Sequence, residues 1–95
     1  MIDVKIAFLS LLADITGKGV IVLSIDENSR IKDVIKKLNL KFGKEFEKTI
    51  LNSPGVLSKY IILGLNGKDV RSFDGLDTII HQGDEISFLP AIAGG

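Results

Sequence analysis

Apolar residues fall at every second position from Ile2 through Val4, Ile6 and Phe8, with Asp3, Lys5 and Ala7 between them. That period puts one side of an extended chain into a core and the other toward water, so it predicts a strand. Leu9 stands on the side that should meet solvent. A loop follows, and Thr16-Gly17-Lys18-Gly19 turns the chain into a second apolar run, Val20 to Ile25. This run reads as a hairpin partner of the first strand. The connection is too long for a two-residue turn to set the register by itself.

From Ile31 the period changes. Ile31, Val34, Ile35 and Leu38 are spaced for one face of a helix, with Ser29 as its candidate N-cap and Gly43 as its stop. Lys32, Asp33, Lys36 and Lys37 take the other face, the lysines toward the end where the helix dipole favours cations. Residues 44–51 predict a shorter helix that packs Phe46 and Ile50, broken by Asn52-Ser53-Pro54-Gly55. Tyr60 to Leu65 is strand-like, Asn66-Gly67 is a strong hairpin signal, and Lys68-Asp69-Val70 supplies a short return strand. Ser72 to Gln82, with Leu76, Ile79 and Ile80, reads as a covering loop or a single helical turn. Gly83-Asp84 then leads into a last strand with Ile86 and Phe88 inward and Glu85, Ser87 and Leu89 outward. Pro90 has no N–H to give a ladder, so pairing is expected to end there. The order is that of one α+β domain over residues 1–90, a mixed sheet curved over one main helix, followed by a tail over 91–95.

Composition narrows the function by exclusion. Twelve basic residues balance twelve acidic ones among 95, so no global field draws nucleic acid or a membrane surface. The chain has no cysteine and a single histidine, which argues against disulfides, thiolate metal sites, a cysteine nucleophile and a histidine metal cage. The N-terminus does not read as a signal peptide, and no apolar run approaches the ~20 residues of a membrane span. A cytoplasmic protein is expected. His81 sits in a turn-like setting and reads as a solvated loop residue, and Gly17-Lys18-Gly19 lacks the remaining frame of a phosphate loop. Lys36, Lys37, Lys41, Lys44 and Lys48 are interrupted by Glu45 and Glu47, as on a solvated helical face. Nothing here assembles catalytic residues or a metal site, so the chain is not expected to be an enzyme alone.

Two features remain. Leu9, Ile62 and Leu89 fall on the sheet face opposite the helix, where apolar side chains on neighbouring strands make a patch suited to a partner protein; scattered surface leucines are the plainer alternative. The other is the end of the chain, Pro90-Ala91-Ile92-Ala93-Gly94-Gly95, small and uncharged around one isoleucine. Glycine carries no Cβ, so a cleft can close around such a backbone, and six residues reach at most roughly 20 Å. A frayed terminus would have the same composition.

Gly75-Leu76-Asp77-Thr78, Gly83-Asp84-Glu85-Ile86-Ser87-Phe88-Leu89-Pro90 and the final Ala93-Gly94-Gly95 resemble the C-terminal half of the molybdopterin synthase small subunit. They also resemble its relatives, the thiamine sulfur carrier, the ubiquitin-related modifier and the small archaeal modifier proteins. The likeness extends to Asp14-Ile15-Thr16-Gly17-Lys18 and Leu65-Asn66-Gly67-Lys68-Asp69-Val70, and so covers essentially the whole chain. Pro90-Ala91 departs from the Pro-Pro common in that family, and the 44–58 region is longer than in its shortest members.

The resemblance implies a ubiquitin-like β-grasp of four to five strands. It implies a sulfur carrier for molybdenum cofactor biosynthesis, with a partner of the E1-like adenylating type activating Gly95 with ATP and Mg²⁺. The carboxylate then becomes a thiocarboxylate used by the molybdopterin synthase large subunit or another acceptor. Gly94, Ala93 and Ile92 would thread the partner's channel, and no processing protease is expected. The alternatives the resemblance leaves open are a modifier joined through Gly95 to lysines of other proteins, and a sulfur donor for thiamine or tRNA. An interaction module with an unreactive tail is a further alternative.

Overall fold

The computed structural model describes residues 1–91. Strand β1 (Ile2–Phe8) alternates between buried and solvent-facing residues, with Ile6 wholly enclosed. The expected loop after it contains a helix, α1 (Leu11–Thr16), entered through Ser10 at φ 52° and closed by Gly17 in the left-handed region. Six residues are too few for helical propensity to hold alone; the burial of Leu12 holds this one. Strand β2 (Val20–Ile25) pairs antiparallel with β1, Ala7 opposite Val20 and Ile2 opposite Ile25.

Helix α2 (Ile31–Phe42) buries Ile31, Val34, Ile35 and Leu38, the four positions its spacing selects, and ends at Gly43 with φ 89°. The N-cap is Arg30 rather than Ser29. The Asp33 carboxylate accepts the Arg30 N–H at 2.8 Å. Ser29 is buried, and its carbonyl accepts the Ile80 N–H at 2.9 Å while Ile31 N–H donates to the Thr78 carbonyl at 3.0 Å. These bonds tie the start of α2 to the covering segment. Helix α3 (Lys44–Ile50) buries Phe46 and Ile50 as expected. Strands β3 (Leu51–Ser53) and β4 (Val56–Leu57) then form a small separate hairpin across the Pro54-Gly55 turn.

Strand β5 (Ile61–Leu65) turns through Asn66 (φ 52°) and Gly67 (φ 86°) into β6 (Lys68–Asp69). Two consecutive positive φ values are what a two-residue I′ hairpin requires. Val70, expected in the return strand, instead opens a 3₁₀ turn, Val70–Ser72, and a second, Gly75–Asp77, follows in the covering segment. That segment buries Ile80 and half-buries Leu76, whereas Ile79 is exposed. Strand β7 (Glu85–Pro90) lies between β1, to which it is parallel, and β5, to which it is antiparallel. The sheet order is β2-β1-β7-β5-β6. Pairing continues one residue beyond Pro90, since Ala91 N–H donates to the Tyr60 carbonyl at 2.6 Å.

At the centre of the core Phe8 meets Phe42, Phe46 and Phe88 at 5.4, 5.7 and 5.8 Å between ring centroids, in edge-on and tilted arrangements that suit aromatic quadrupoles. One contact of the covering segment has a measurable pH signature. Lys32 Nζ lies 2.9 Å from Asp77 Oδ1, and this hydrogen bond holds the Asp77 carboxyl below its ordinary value. Because the folded pKa is lowered, the pair's contribution is present above the unfolded value and fades as pH falls through the lowered one. Lys32→Met is expected to raise the Asp77 pKa, read from side-chain carboxyl ¹³C shifts during an acid titration. An unmoved pKa would contradict the assigned cause.

Candidate functional site

The outer sheet face, away from α2, is built by register. Val22, Lys5 and Glu85 form one row across β2, β1 and β7, and Val20, Ala7, Ser87 and Gly64 form the next, reaching β5. Leu89 pairs with Ile62 in the row after that. Leu9 donates its N–H to the Phe88 carbonyl at 3.0 Å, which carries the parallel register one step past β1 and sets Leu9 beside Leu89. Leu9 and Leu89 are 41% and 38% exposed, and Ile62 is half-buried. The three residues selected from sequence therefore share one end of one face. It is the end at which the chain leaves β7.

Val20 and Val22, 54% and 69% exposed, extend the apolar area along β2 and were missed by the sequence reading. The run Val20-Ile21-Val22-Leu23 is apolar at both parities, so alternation could not tell its outer members from its inner ones. Among the described residues the middle of the face carries Ala7, Ser87 and Gly64, small residues that leave it shallow. Lys5 and Glu85 lie 4.0 Å apart on this face, both solvated. Tyr60, 55% exposed, flanks the exit through the bond its carbonyl accepts from Ala91. Ile92, Ala93, Gly94 and Gly95 lie outside the described residues.

On the other side of β5, an open groove of about 520 Å³ runs between the β3–β4 hairpin and the first 3₁₀ turn. Its floor includes Leu57, Leu63, Val70 and Leu76. Arg71 at its rim is bound to Asp69 at 2.7 Å, and that guanidinium holds the Asp69 carboxyl below its usual range. Such an exposed pair is a local clamp. Among the described residues no group of three or more histidine, cysteine or acidic side chains is placed to hold a metal. No helix among them is long and apolar enough to cross a membrane. His81 is solvent-exposed beside Asp84, whose carboxylate accepts the His81 backbone N–H at 2.7 Å. Lys36, Lys37, Lys41, Lys44 and Lys48 are all exposed.

A mixed five-stranded sheet with β1 and β7 parallel at its centre, wrapped over α2 and leaving an apolar patch beside the exit from β7, defines a ubiquitin-like β-grasp protein. The ThiS family model matches residues 6–95, and the chain belongs to that family. A candidate sulfur carrier protein of Archaeoglobus fulgidus is 42% identical over 74 residues, 77% of this chain and 83% of that protein. The solution structure of small archaeal modifier protein 1 from Methanosarcina acetivorans superposes with a TM-score of 0.86 at 27% identity, covering 100% of this chain and 98% of that one. A chain in the crystal structure of the Amycolatopsis orientalis BexX/CysO complex superposes with a TM-score of 0.77 at 25% identity, covering 97% of this chain and 99% of that one.

Proposed function

We propose that this protein is a sulfur carrier, non-catalytic by itself, whose reactive group is the α-carboxylate of Gly95. The observation that carries the reading is the family match, which runs from β1 through the glycine pair. The similarity to a candidate sulfur carrier supports it.

The chemistry explains why such a tail is useful. A carboxylate resists nucleophiles because its charge is shared by two oxygens and its leaving group would be oxide. Transfer of an adenylyl group from ATP, held with Mg²⁺ in an activating enzyme, gives the carbonyl a good leaving group. Sulfide displaces AMP to leave a thiocarboxylate directly; a persulfide displaces AMP to leave an acyl disulfide, and a second thiol must then cleave its S–S bond, forming a disulfide, to release the thiocarboxylate. Gly95 supplies the reacting carbonyl, Gly94 gives backbone clearance, and Ala93 and Ile92 occupy the channel behind it. The patch of Leu9, Ile62 and Leu89 docks the partner, with Val20 and Val22 extending the contact. The resemblance to the molybdopterin synthase small subunit makes that enzyme's large subunit the first acceptor to test; thiamine and tRNA thiolation use the same carrier chemistry. A second reading, a modifier conjugated through Gly95 to lysines, is favoured by the similarity to small archaeal modifier protein 1. Isopeptide-linked targets in extracts would support that reading.

The direct test is ATP–pyrophosphate exchange by a candidate activating enzyme. Exchange that depends on this protein and disappears when Gly95 is removed is expected; exchange indifferent to Gly95 would overturn the assignment. Docking has its own test. Leu89→Asp puts a charge into the patch while leaving the buried face of β7 intact, and is expected to raise the carrier concentration needed for half-maximal exchange by about tenfold or more. The melting temperature should stay near that of the parent, and Lys48→Glu on α3 should leave exchange unchanged. A Leu89→Asp protein that is activated normally would remove the patch from the docking surface.

A further inference from the structure

The sheet edge at β2 is open. Phe8 N–H donates to the Gly19 carbonyl at 2.8 Å, and bonded pairs recur at every second position of an antiparallel ladder. In the observed register the bonded pairs are therefore Ile6–Ile21, Val4–Leu23 and Ile2–Ile25. The N–H and C=O groups of Val20, Val22 and Ser24 point away from β1. Among the described residues no strand lies beyond β2 in the sheet order. One of these groups has a side-chain partner, since Lys37 Nζ reaches from α2 to donate to the Ser24 carbonyl at 2.9 Å. A lysine laid over an edge is a common way to blunt it.

The helix strip that faces this edge has a definite character. Lys41 follows Lys37 one turn on, so it lies on the same side of α2, while Leu40, 88% exposed, points away from the buried face of the helix. The edge thus offers main-chain groups that no strand takes among the described residues, with the Lys37 ammonium laid over one of them and Lys41 one turn further along the helix.

We infer that the β2 edge accepts an extended acidic segment of a partner protein as a sixth strand of the sheet. Main-chain pairing supplies the affinity of such an addition and alternate side chains supply its selectivity. Valine-like side chains on the added strand continue the outer surface of Val20 and Val22. Carboxylates on its other side meet Lys37 and Lys41, and an acidic group draws Lys37 off the Ser24 carbonyl, which frees that acceptor. A second copy of this chain is a poorer occupant. Two-fold pairing of β2 with β2 would set the Lys37–Lys41 strip of one copy across the seam from the same strip of the other. The edge is two strands from β7, so an added strand leaves the exit beside Leu89 uncovered. This inference is independent of the carrier role.

The test is a titration of ¹⁵N-labelled full chain with a capped heptapeptide alternating aspartate and valine, beside one alternating lysine and valine. The acidic peptide is expected to shift the amides of Val20, Val22 and Ser24 and to bind about tenfold or more tightly than the basic one. The margin should shrink as salt rises. Lys37→Glu, an exposed substitution, should reverse the order of the two peptides without moving the melting temperature. Val22→Pro should abolish binding, because it removes an edge donor that β1 does not use. Equal binding of the peptides, shifts confined to other strands, or no shifts at millimolar peptide would overturn the inference. Concentration-dependent shifts of the same amides without peptide would overturn it too, and would give the edge to a second copy.

Discussion

Removal of Gly95 is expected to abolish thiocarboxylate formation while leaving the fold unchanged. The reacting carbonyl would then belong to Gly94, one residue short of its place. A residue of extended chain spans about 3.3–3.6 Å, and misplacing a reacting atom by even 1 Å costs on the order of a hundredfold. The loss should therefore exceed a hundredfold in the rate of activation. Gly94→Ala should be milder, since it keeps the reach and adds one methyl group to a backbone enclosed by the partner. A loss of about tenfold to a hundredfold in activation, with ordinary docking, is expected there. Both rates can be read by ATP–pyrophosphate exchange with saturating carrier. Normal activation of the shortened chain would mean that the chemistry does not lie at Gly95.

Phe88→Ala should be the most damaging single change in the folded part. Phe88 is fully buried on β7, beside Phe8 on one neighbouring strand and opposite Leu63 on the other. Its ring lies 5.8 Å from that of Phe8 and 5.9 Å from that of Phe46, so it joins both central strands to α3. Truncating a buried phenylalanine costs about 3–5 kcal/mol, against a total stability of roughly 5–15 kcal/mol for an ordinary domain. At about 4–8 °C per kcal/mol for a domain of this size, the melting temperature should fall by roughly 12 °C or more. Circular dichroism melts of the two proteins check this. A fall below about 5 °C would show that the cluster relaxes around the missing ring. Leu89→Asp, one residue along the same strand, should instead spare the melt and damage docking, separating the two faces of β7.

That contrast also shows what was legible in the sequence. The inward members of β1, α2 and β7 could be read directly, because burial on one side leaves a clean period of two or 3.6 in the residues themselves. Asn66-Gly67 announced its hairpin because few other residue pairs take two positive φ values. Helix α1 was hidden: it is too short for a periodic signal and starts at Ser10, without a side-chain cap. The β3–β4 hairpin was hidden too, since arms of three and two residues cannot show alternation. Ser29 looked like a cap because serine often is one, but the bonds to Thr78 and Ile80 shifted the start of α2 to Arg30. Pro90 ended its own donation to the ladder without ending the ladder, which Ala91 continues. The docking face was half visible. Leu9 and Leu89 stood out against polar neighbours, while Val20 and Val22 were concealed in a strand apolar on both sides.

The central claim is that the carboxylate of Gly95 carries sulfur, and intact mass measures it most directly. The protein would be incubated with ATP, Mg²⁺, a sulfur source and a candidate activating enzyme, with the Gly95-deleted chain treated alongside. The expected result is a gain equal to one oxygen exchanged for sulfur, absent from the deleted chain. Oxidation of Met1 changes the mass by nearly the same amount, so the gain must be located in the C-terminal fragment and be trapped there by alkylation. If competent activating enzymes leave that fragment unchanged while the protein still binds them, the account of Gly95 as a sulfur-carrying terminus is contradicted.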